Sequence, residues 1–417
     1  MSITLSHSRK ESLTTKARTG SLITVFNDFS RFSNEIEDYV FYELVKWKSR
    51  DRRICSKFSI HATSRDRVFE WIPYDQLIKF EVLGKGGFGV VQRATWVDGQ
   101  IDQIIGWNYL QNRWERHGKT RVAVKILDNS RKITVDFFTE IIPQIQYEPI
   151  IPKSLMFHLI RYLGISKNPA TQNYAIVMQY AEGGNLRNYL EINYSTLTWE
   201  KKLFMLQYIA EGLKILHEEG LLHRNLHSSN ILIHNDIPLM GDVGLCRPVD
   251  KLIQSDEKEI YGIMPFMAPE LLKTGIYTKE VDIYSFGSIM WEICEHQPPF
   301  NKRPHNDNLA MEICLGERPL IEKETPESLA VLIKKCWDSN PNNRPTANEL
   351  FFIIKSWYLD LLQESPTEYY FEFKAADKIR KDMLQTMSQP CSIKNHSEAH
   401  YRSRKFNFTN FSMINQS

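Results

Sequence analysis

The sequence predicts an α+β fold in two lobes with a cleft between them. Three observations carry that expectation. From Phe80 to Tyr180 the apolar residues gather in short β-branched runs, and after Asn185 their spacing turns helical. A glycine cluster, Gly84 to Gly89, sits inside the strand-rich half. Strand-rich and helix-rich segments that follow one another, rather than alternate, fold as separate layers.

Taken in order, residues 80–83, 89–95 and 121–127 read as the first three strands, with a long polar connection before the third. Residues 159–165 and 174–180 supply a fourth and a fifth, so the first lobe is expected to hold five strands. Helical period then marks 199–219, 282–295, 308–315, 327–338 and 346–362 as the second lobe. Upstream, Phe29, Phe32, Ile36, Val40, Phe41 and Leu44 recur at helical spacing and predict an amphipathic helix over 26–48. The expected organisation is a flexible basic leader (1–22), a helical extension (23–75), the bilobal domain (76–362) and a charged, basic tail (363–417). An acid-poor, Ser-rich start is also compatible with an organelle transit peptide, although Leu and Ile are sparse there.

The chain has 417 residues, 42% of them apolar and 12% aromatic, enough for a sizeable core. Fifty-two Lys and Arg against 50 Asp and Glu leave a net charge of +2, which gives no global case for a nucleic-acid binder. No apolar run is long enough to span a membrane. The six cysteines are scattered without a paired motif, as expected of a reduced, cytoplasmic protein. The charge is uneven: residues 1–22 and 392–417 each carry four basic residues and one acidic, leaving a mildly acidic body.

Gly84, Gly86 and Gly89 form GxGxxG, with Val91 two residues on. Glycines let backbone N–H groups approach phosphate oxygens, but the string alone is weak; a dinucleotide-binding turn would be followed by a helix, and here a strand follows. Val122-Ala123-Val124-Lys125 is an apolar strand that delivers one cation. Further on, Leu222-His223-Arg224-Asn225-Leu226-His227-Ser228-Ser229-Asn230 precedes Gly241-Asp242-Val243-Gly244. Asn230 and Asp242 offer oxygen ligands suited to Mg²⁺. His223 and His227, four apart, raise a zinc pair, but no third ligand stands at zinc-like spacing.

In that order, and with Ala268-Pro269-Glu270, Asp282 in Asp-Ile-Tyr-Ser-Phe-Gly and Arg344 in Asn-Pro-Asn-Asn-Arg-Pro, these motifs resemble the protein kinase signature over about residues 71–362. Cys336-Trp337 and His227-Ser228 look like the tyrosine-kinase-like group. The 70–74 lead-in, the insertion before Val122 and the tail look like a lineage-expanded fungal kinase family. The resemblance implies a bilobal kinase fold, with one main helix beside the five strands of the first lobe and a helical second lobe, that binds ATP and Mg²⁺. It implies that Gly84, Gly86 and Gly89 cover the phosphates, that Val91, Ala123 and Leu232 sandwich the adenine, and that Met178 is the gatekeeper. Backbone groups of Gln179 and Ala181 would bond the adenine. Lys125 would hold phosphates and be held by Glu140; Asn230 and Asp242 would carry the metal; Glu270 and Arg344 would form a structural ion pair.

Five positions depart from the pattern. The presumed catalytic base is Asn225, the Phe of Asp-Phe-Gly is Val243, and Gln144 replaces an apolar stack residue near Pro143, a helix breaker. Ile263 stands where Ser/Thr kinases carry a threonine, and His227 where they carry a lysine. The expectation is therefore an ATP-binding, kinase-like signalling protein impaired in phosphotransfer, with a partner kinase or protein substrate unspecified. The alternative is an active Ser/Thr or dual-specificity kinase that tolerates Asn225. Ser255 and Tyr261 are candidate modification sites between Asp242 and Glu270.

Overall fold

The computed structural model describes residues 70–86, 89–101, 107–108, 110–111, 113–128, 130–131, 153–242, 247–248, 259–364, 366–386 and 395–407. The leader, the helix expected over 26–48, Glu140 with Pro143 and Gln144, Val243 and Ser255 lie outside these residues.

Period-two alternation builds the first lobe. Its strands are β1 (Glu70–Trp71), β2 (Leu77–Gly86), β3 (Gly89–Trp96), β4 (Trp107–Asn108), β5 (Arg113–Trp114), β6 (Thr120–Leu127), β7 (Tyr162–Lys167) and β8 (Tyr174–Gln179). The sheet runs β1-β7-β8-β6-β3-β2. The five strands the sequence predicts pair antiparallel, and the two-residue β1 adds a parallel sixth on β7. A Cβ on Gly164 would lie 2.1 Å from the Glu70 carbonyl, so β1 can dock there only against glycine. The buried Glu70 carboxylate meets Arg116 of the insertion at 2.6 Å. Residues 70–71, inside the expected helical extension, thus belong to the sheet. β4 and β5 pair as a small hairpin within the insertion.

Central β6 is covered on both faces. Val122 and Val124 join one apolar cluster with Ile72, Trp96 and Val177. Ala123 and Leu127 join another with Ile176, Met178 and Leu239. The second cluster faces the other lobe.

After the single turn α1 (Lys153–Met156), the second lobe is built from α2 (Leu186–Ile192), α3 (Trp199–Glu218), α4 (Pro269–Thr274), α5 (Lys279–Glu295), α6 (Asp307–Cys314), α7 (Glu327–Cys336), α8 (Ala347–Leu362) and α9 (Glu368–Thr386). α3 starts where the Thr198 hydroxyl accepts from the Lys201 amide, and α8 starts at a Thr346–Glu349 capping box. α5 is buried on nearly every side, the mark of a central helix. α9 lies on α3 and α8 through Phe373, fully buried between Trp199 and Trp357 at ring distances of 5.6 and 5.7 Å. Beside this contact Lys202 of α3 is buried, its Nζ donating to the Cys294 carbonyl at 3.2 Å and lying 4.2 Å from the Trp199 ring.

Short strand pairs line the lobe edge: β9 (Leu221–Leu222) with β12 (Arg247–Pro248), β10 (Ile231–His234) with β11 (Ile237–Met240), and β13 (Glu259–Gly262) with β14 (Arg404–Asn407). The last pair joins the C-terminal segment to a loop some 140 residues earlier in the chain. Among the described residues, no helix is long and apolar enough to cross a membrane.

Candidate functional site

Strand period decides which side chains of the first lobe reach the cleft. With Val122 and Val124 turned outward, Ala123 and Lys125 turn inward. Across β6, Met178 stands opposite Ala123, Gln179 opposite Val122, and Val91 opposite Lys125. Val91, Ala123, Met178, Ala181 and Leu232 of β10 share one apolar cluster, which spans both lobes.

The three motif glycines differ in what they do. Gly84 pairs with Val91 and Gly86 with Gly89. A Cβ on Gly84 would meet nothing within 4 Å, so the space beside β2 is open at that point. A Cβ on Gly89 would lie 1.9 Å from the Ile126 carbonyl, and its φ of +149° bars other residues. Gly89 is a packing requirement, whereas the fold leaves Gly84 without one.

Beneath them, Lys125 Nζ meets Asp242 Oδ1 at 3.0 Å. Burial alone would raise the Asp242 carboxyl, but the Lys125 charge and hydrogen bond hold it below its ordinary value. It is a carboxylate. Residues 222–230 form the floor. The amides of His223 and Arg224 donate to Asp282 of α5 at 2.8 and 3.0 Å. That clamp supports Arg224 at φ +66°, a left-handed conformation costing about 1–3 kcal/mol for a non-glycine residue.

Asn225 sits between the floor and Asp242. Its Nδ2 donates to Asp242 Oδ2 at 3.3 Å, and its backbone carbonyl accepts from Asn230 Nδ2 at 2.9 Å. A carboxylate only accepts, so the Asp242 contact fixes which end of the amide is which. The outward Asn225 Oδ1 accepts from the Ser403 hydroxyl at 3.2 Å, and His227 Nε2 lies 3.1 Å from the same hydroxyl oxygen. With the Ser403 proton directed at Asn225, His227 is the donor to Ser403. Burial, with the Arg187 charge, pushes the His227 imidazole down to about 3, so it is neutral. Burial lowers His223 as well. Among the described residues no group of three His, Cys, Asp or Glu converges on a metal position, so the His223/His227 spacing finds no third ligand.

Residues 77–354 match the family model for protein tyrosine and serine/threonine kinases. The chain belongs to the protein kinase family. A putative serine/threonine-protein kinase/receptor, R826, of Acanthamoeba polyphaga mimivirus is 29% identical over 299 residues, 70% of this chain and 16% of that protein. The serine/threonine/tyrosine-protein kinase HT1 of Arabidopsis thaliana is 31% identical over 212 residues, 49% of this chain and 52% of its own length. Human receptor-interacting serine/threonine-protein kinase 1 is 32% identical over 213 residues, 47% of this chain and 32% of its own. The chain thus spans at most about half the length of these three relatives.

In the order of the family's motifs, residues 222–230 stand where protein kinases carry the catalytic loop, and Asp242 and Glu270 stand where the activation segment begins and ends. The family pair Glu270–Arg344 is bidentate at 2.6 and 2.8 Å, with the Arg344 guanidinium fully buried. Three participants carry no sequence signal for the contacts they make. Asp282 stands in the sequence only as part of a motif. Arg187, which donates to the Ser228 hydroxyl at 2.9 Å and to Glu292 at 2.8 Å, carries no motif. Ser403 lies 178 residues from Asn225, and no local pattern joins them.

Proposed function

We propose that this kinase-fold protein is a signalling protein that binds ATP with Mg²⁺, is impaired in phosphotransfer, and acts through its conformation, as a scaffold or an allosteric partner of another kinase. Residue 225 carries the reading. In a kinase catalytic loop this position accepts the proton of the substrate hydroxyl. Here it is a carboxamide, oriented by Asp242, whose oxygen already receives a serine hydroxyl at 3.2 Å. An amide oxygen accepts that hydrogen bond without taking the proton. Loss of a general base removes about 10²–10⁴-fold in rate, roughly 3–5.5 kcal/mol. Phosphoryl transfer draws most of its acceleration from positioning and electrostatics, and Lys125, Asn230 and Asp242 remain for that. The expected activity is slow rather than zero.

The residues fit the nucleotide. The space beside Gly84 is open, Lys125 brings a cation, and the shared apolar cluster offers an adenine slot. Gly84, Gly86 and Gly89 would hold phosphates by backbone amides, with Lys125 on the α- and β-phosphates. Val91, Ala123 and Leu232 would flank the base, with Met178 behind it. The Gln179 amide already donates to the Arg161 carbonyl at 2.8 Å, and the Ala181 carbonyl accepts from Gly184 at 3.1 Å. The purine edge would then take the Gln179 carbonyl and the Ala181 amide. Mg²⁺ would take Asp242 and the Asn230 side-chain oxygen, since the Asn230 nitrogen is engaged by Asn225. Glu140 remains the proposed partner of Lys125. When bound, ATP supplies the γ-phosphoryl group and the metal neutralises its charge. The Cys336-Trp337 and His227-Ser228 motifs support the tyrosine-kinase-like placement and the tail a fungal lineage, while the scattered cysteines support a cytoplasmic location.

The Lys125–Asp242 ion pair, together with relatives named as serine/threonine kinases, favours a second reading as an active Ser/Thr or dual-specificity kinase. Thermal melts with and without ATP–Mg²⁺ test the nucleotide half. At 100 times its Kd a ligand adds about 2.7 kcal/mol, and no shift contradicts the reading. Phosphotransfer by wild type, Asn225→Asp and Asp242→Ala separates the two readings: equal rates for the first two, with only Asp242→Ala dead, favour the active enzyme.

A further inference from the structure

The C-terminal segment meets the kinase domain at the place where a protein substrate has to go. A substrate must bring a hydroxyl to residue 225 and lie along the activation segment, and residues 395–407 do both. Ser403 Oγ donates to Asn225 Oδ1 at 3.2 Å and lies 3.1 Å from His227 Nε2. Immediately downstream, β14 pairs antiparallel with β13 of the activation segment, in the register Gly262↔Arg404, Tyr261↔Lys405, Ile260↔Phe406 and Glu259↔Asn407. Strand addition of this kind draws affinity from the main chain and specificity from alternate side chains.

Those side chains have distinct seats. Two residues before the serine, the Tyr401 hydroxyl donates to the Pro299 carbonyl at 2.8 Å, and its ring packs edge-on to His305 at 4.8 Å and under Arg187 at 4.3 Å. One residue after, Arg404 donates to the His305 carbonyl. Three residues after, Phe406 is buried and joins the core of the helical lobe. Farther back, the His305 amide donates to the Glu398 carbonyl at 3.0 Å, and the His396 amide to the Asn301 carbonyl at 2.7 Å.

We propose that residues 395–407 are a tethered occupant of the protein-substrate groove, and that this groove accepts an extended Tyr-x-Ser-Arg-x-Phe segment with its serine at residue 225. The inference rests on residue 225 being the acceptor position; it needs neither nucleotide nor phosphotransfer. A covalently attached segment competes at an effective concentration on the order of millimolar. A partner or substrate of the same pattern therefore reaches the groove only when the tail leaves it, and the basic tail sits on an otherwise mildly acidic body.

The test uses the full chain and a fluorescent peptide of residues 395–410, read by anisotropy without nucleotide. Phe406→Asp in the chain removes the buried anchor. It should tighten peptide binding by about tenfold or more over wild type, while a peptide carrying the same substitution should bind to neither chain. Tyr401→Ala, milder for folding, should act in the same direction, and thermal melts identify which variant chains are folded. Folded variants that bind the peptide no better than wild type overturn the proposal. Melts with ATP–Mg²⁺ on the same samples keep the two readings apart: tighter peptide binding without a nucleotide shift leaves the groove in place and removes only the nucleotide half of the function.

Discussion

Single residues divide into those the fold requires and those it merely permits. Gly89 is required: Gly89→Ala drives a Cβ into the Ile126 carbonyl at 1.9 Å, and the backbone of two paired strands must shift. Overpacking of this kind costs about 1–3 kcal/mol or more, visible as a lower denaturation midpoint. Gly84→Ala meets nothing, so its midpoint should stay within about 0.5 kcal/mol of wild type while nucleotide affinity falls. The same distinction applies at residue 225. Asn225→Asp replaces a donor 3.3 Å from Asp242 with a second negative charge. Without metal it should lower stability by about 1–3 kcal/mol, and ATP–Mg²⁺ should recover most of that loss in thermal melts. An unchanged metal-free melt would mean that the Asn225–Asp242 contact contributes nothing.

Elements whose apolar period is local were legible in the sequence. The helix expected over 199–219 is α3, and that over 346–362 is α8, each within a residue of its ends. The strand at 121–127 is β6, because Val122, Ala123 and Val124 are buried on both faces. The order of the motifs also singles out Lys125, Asn230 and Asp242, and Lys125 Nζ lies 3.0 Å from Asp242 Oδ1. What stayed hidden depends on distant partners. α9 reads as a charged stretch because only Phe373 and Ala376 are buried along its 19 residues. β14 is four residues long and owes its form to β13, and β1 is two residues resting on Gly164. The anchoring of α9 is correspondingly concentrated. Phe373→Ala should cost about 3–5 kcal/mol and shift the fluorescence of Trp199 and Trp357 to the red as water reaches them.

At the scale of the whole molecule, the segment beyond the second lobe is part of the folded unit: α9 closes the core beside Lys202, and Ser403 of residues 395–407 meets Asn225 and His227. Burial, with the Arg380 charge, pushes Lys202 down to about 7. Between about pH 7 and 10.5 the unfolded chain holds more protons at this position than the folded one, so stability rises with pH there; below about 7 the full cost of burying the ammonium is present. Lys202→Met should therefore stabilise the protein at pH 6 by an amount on the order of a few kcal/mol, with the gain shrinking toward pH 10 in equilibrium unfolding. The central proposal concerns chemistry, and phosphate transfer from labelled ATP to the peptide of residues 395–410 tests it most directly. With the groove opened by Phe406→Asp in both chains, adding Asn225→Asp should raise the single-turnover rate by about 10²–10⁴-fold, since it restores a general base. Equal rates with and without Asn225→Asp, both well above that of Asp242→Ala, would contradict it.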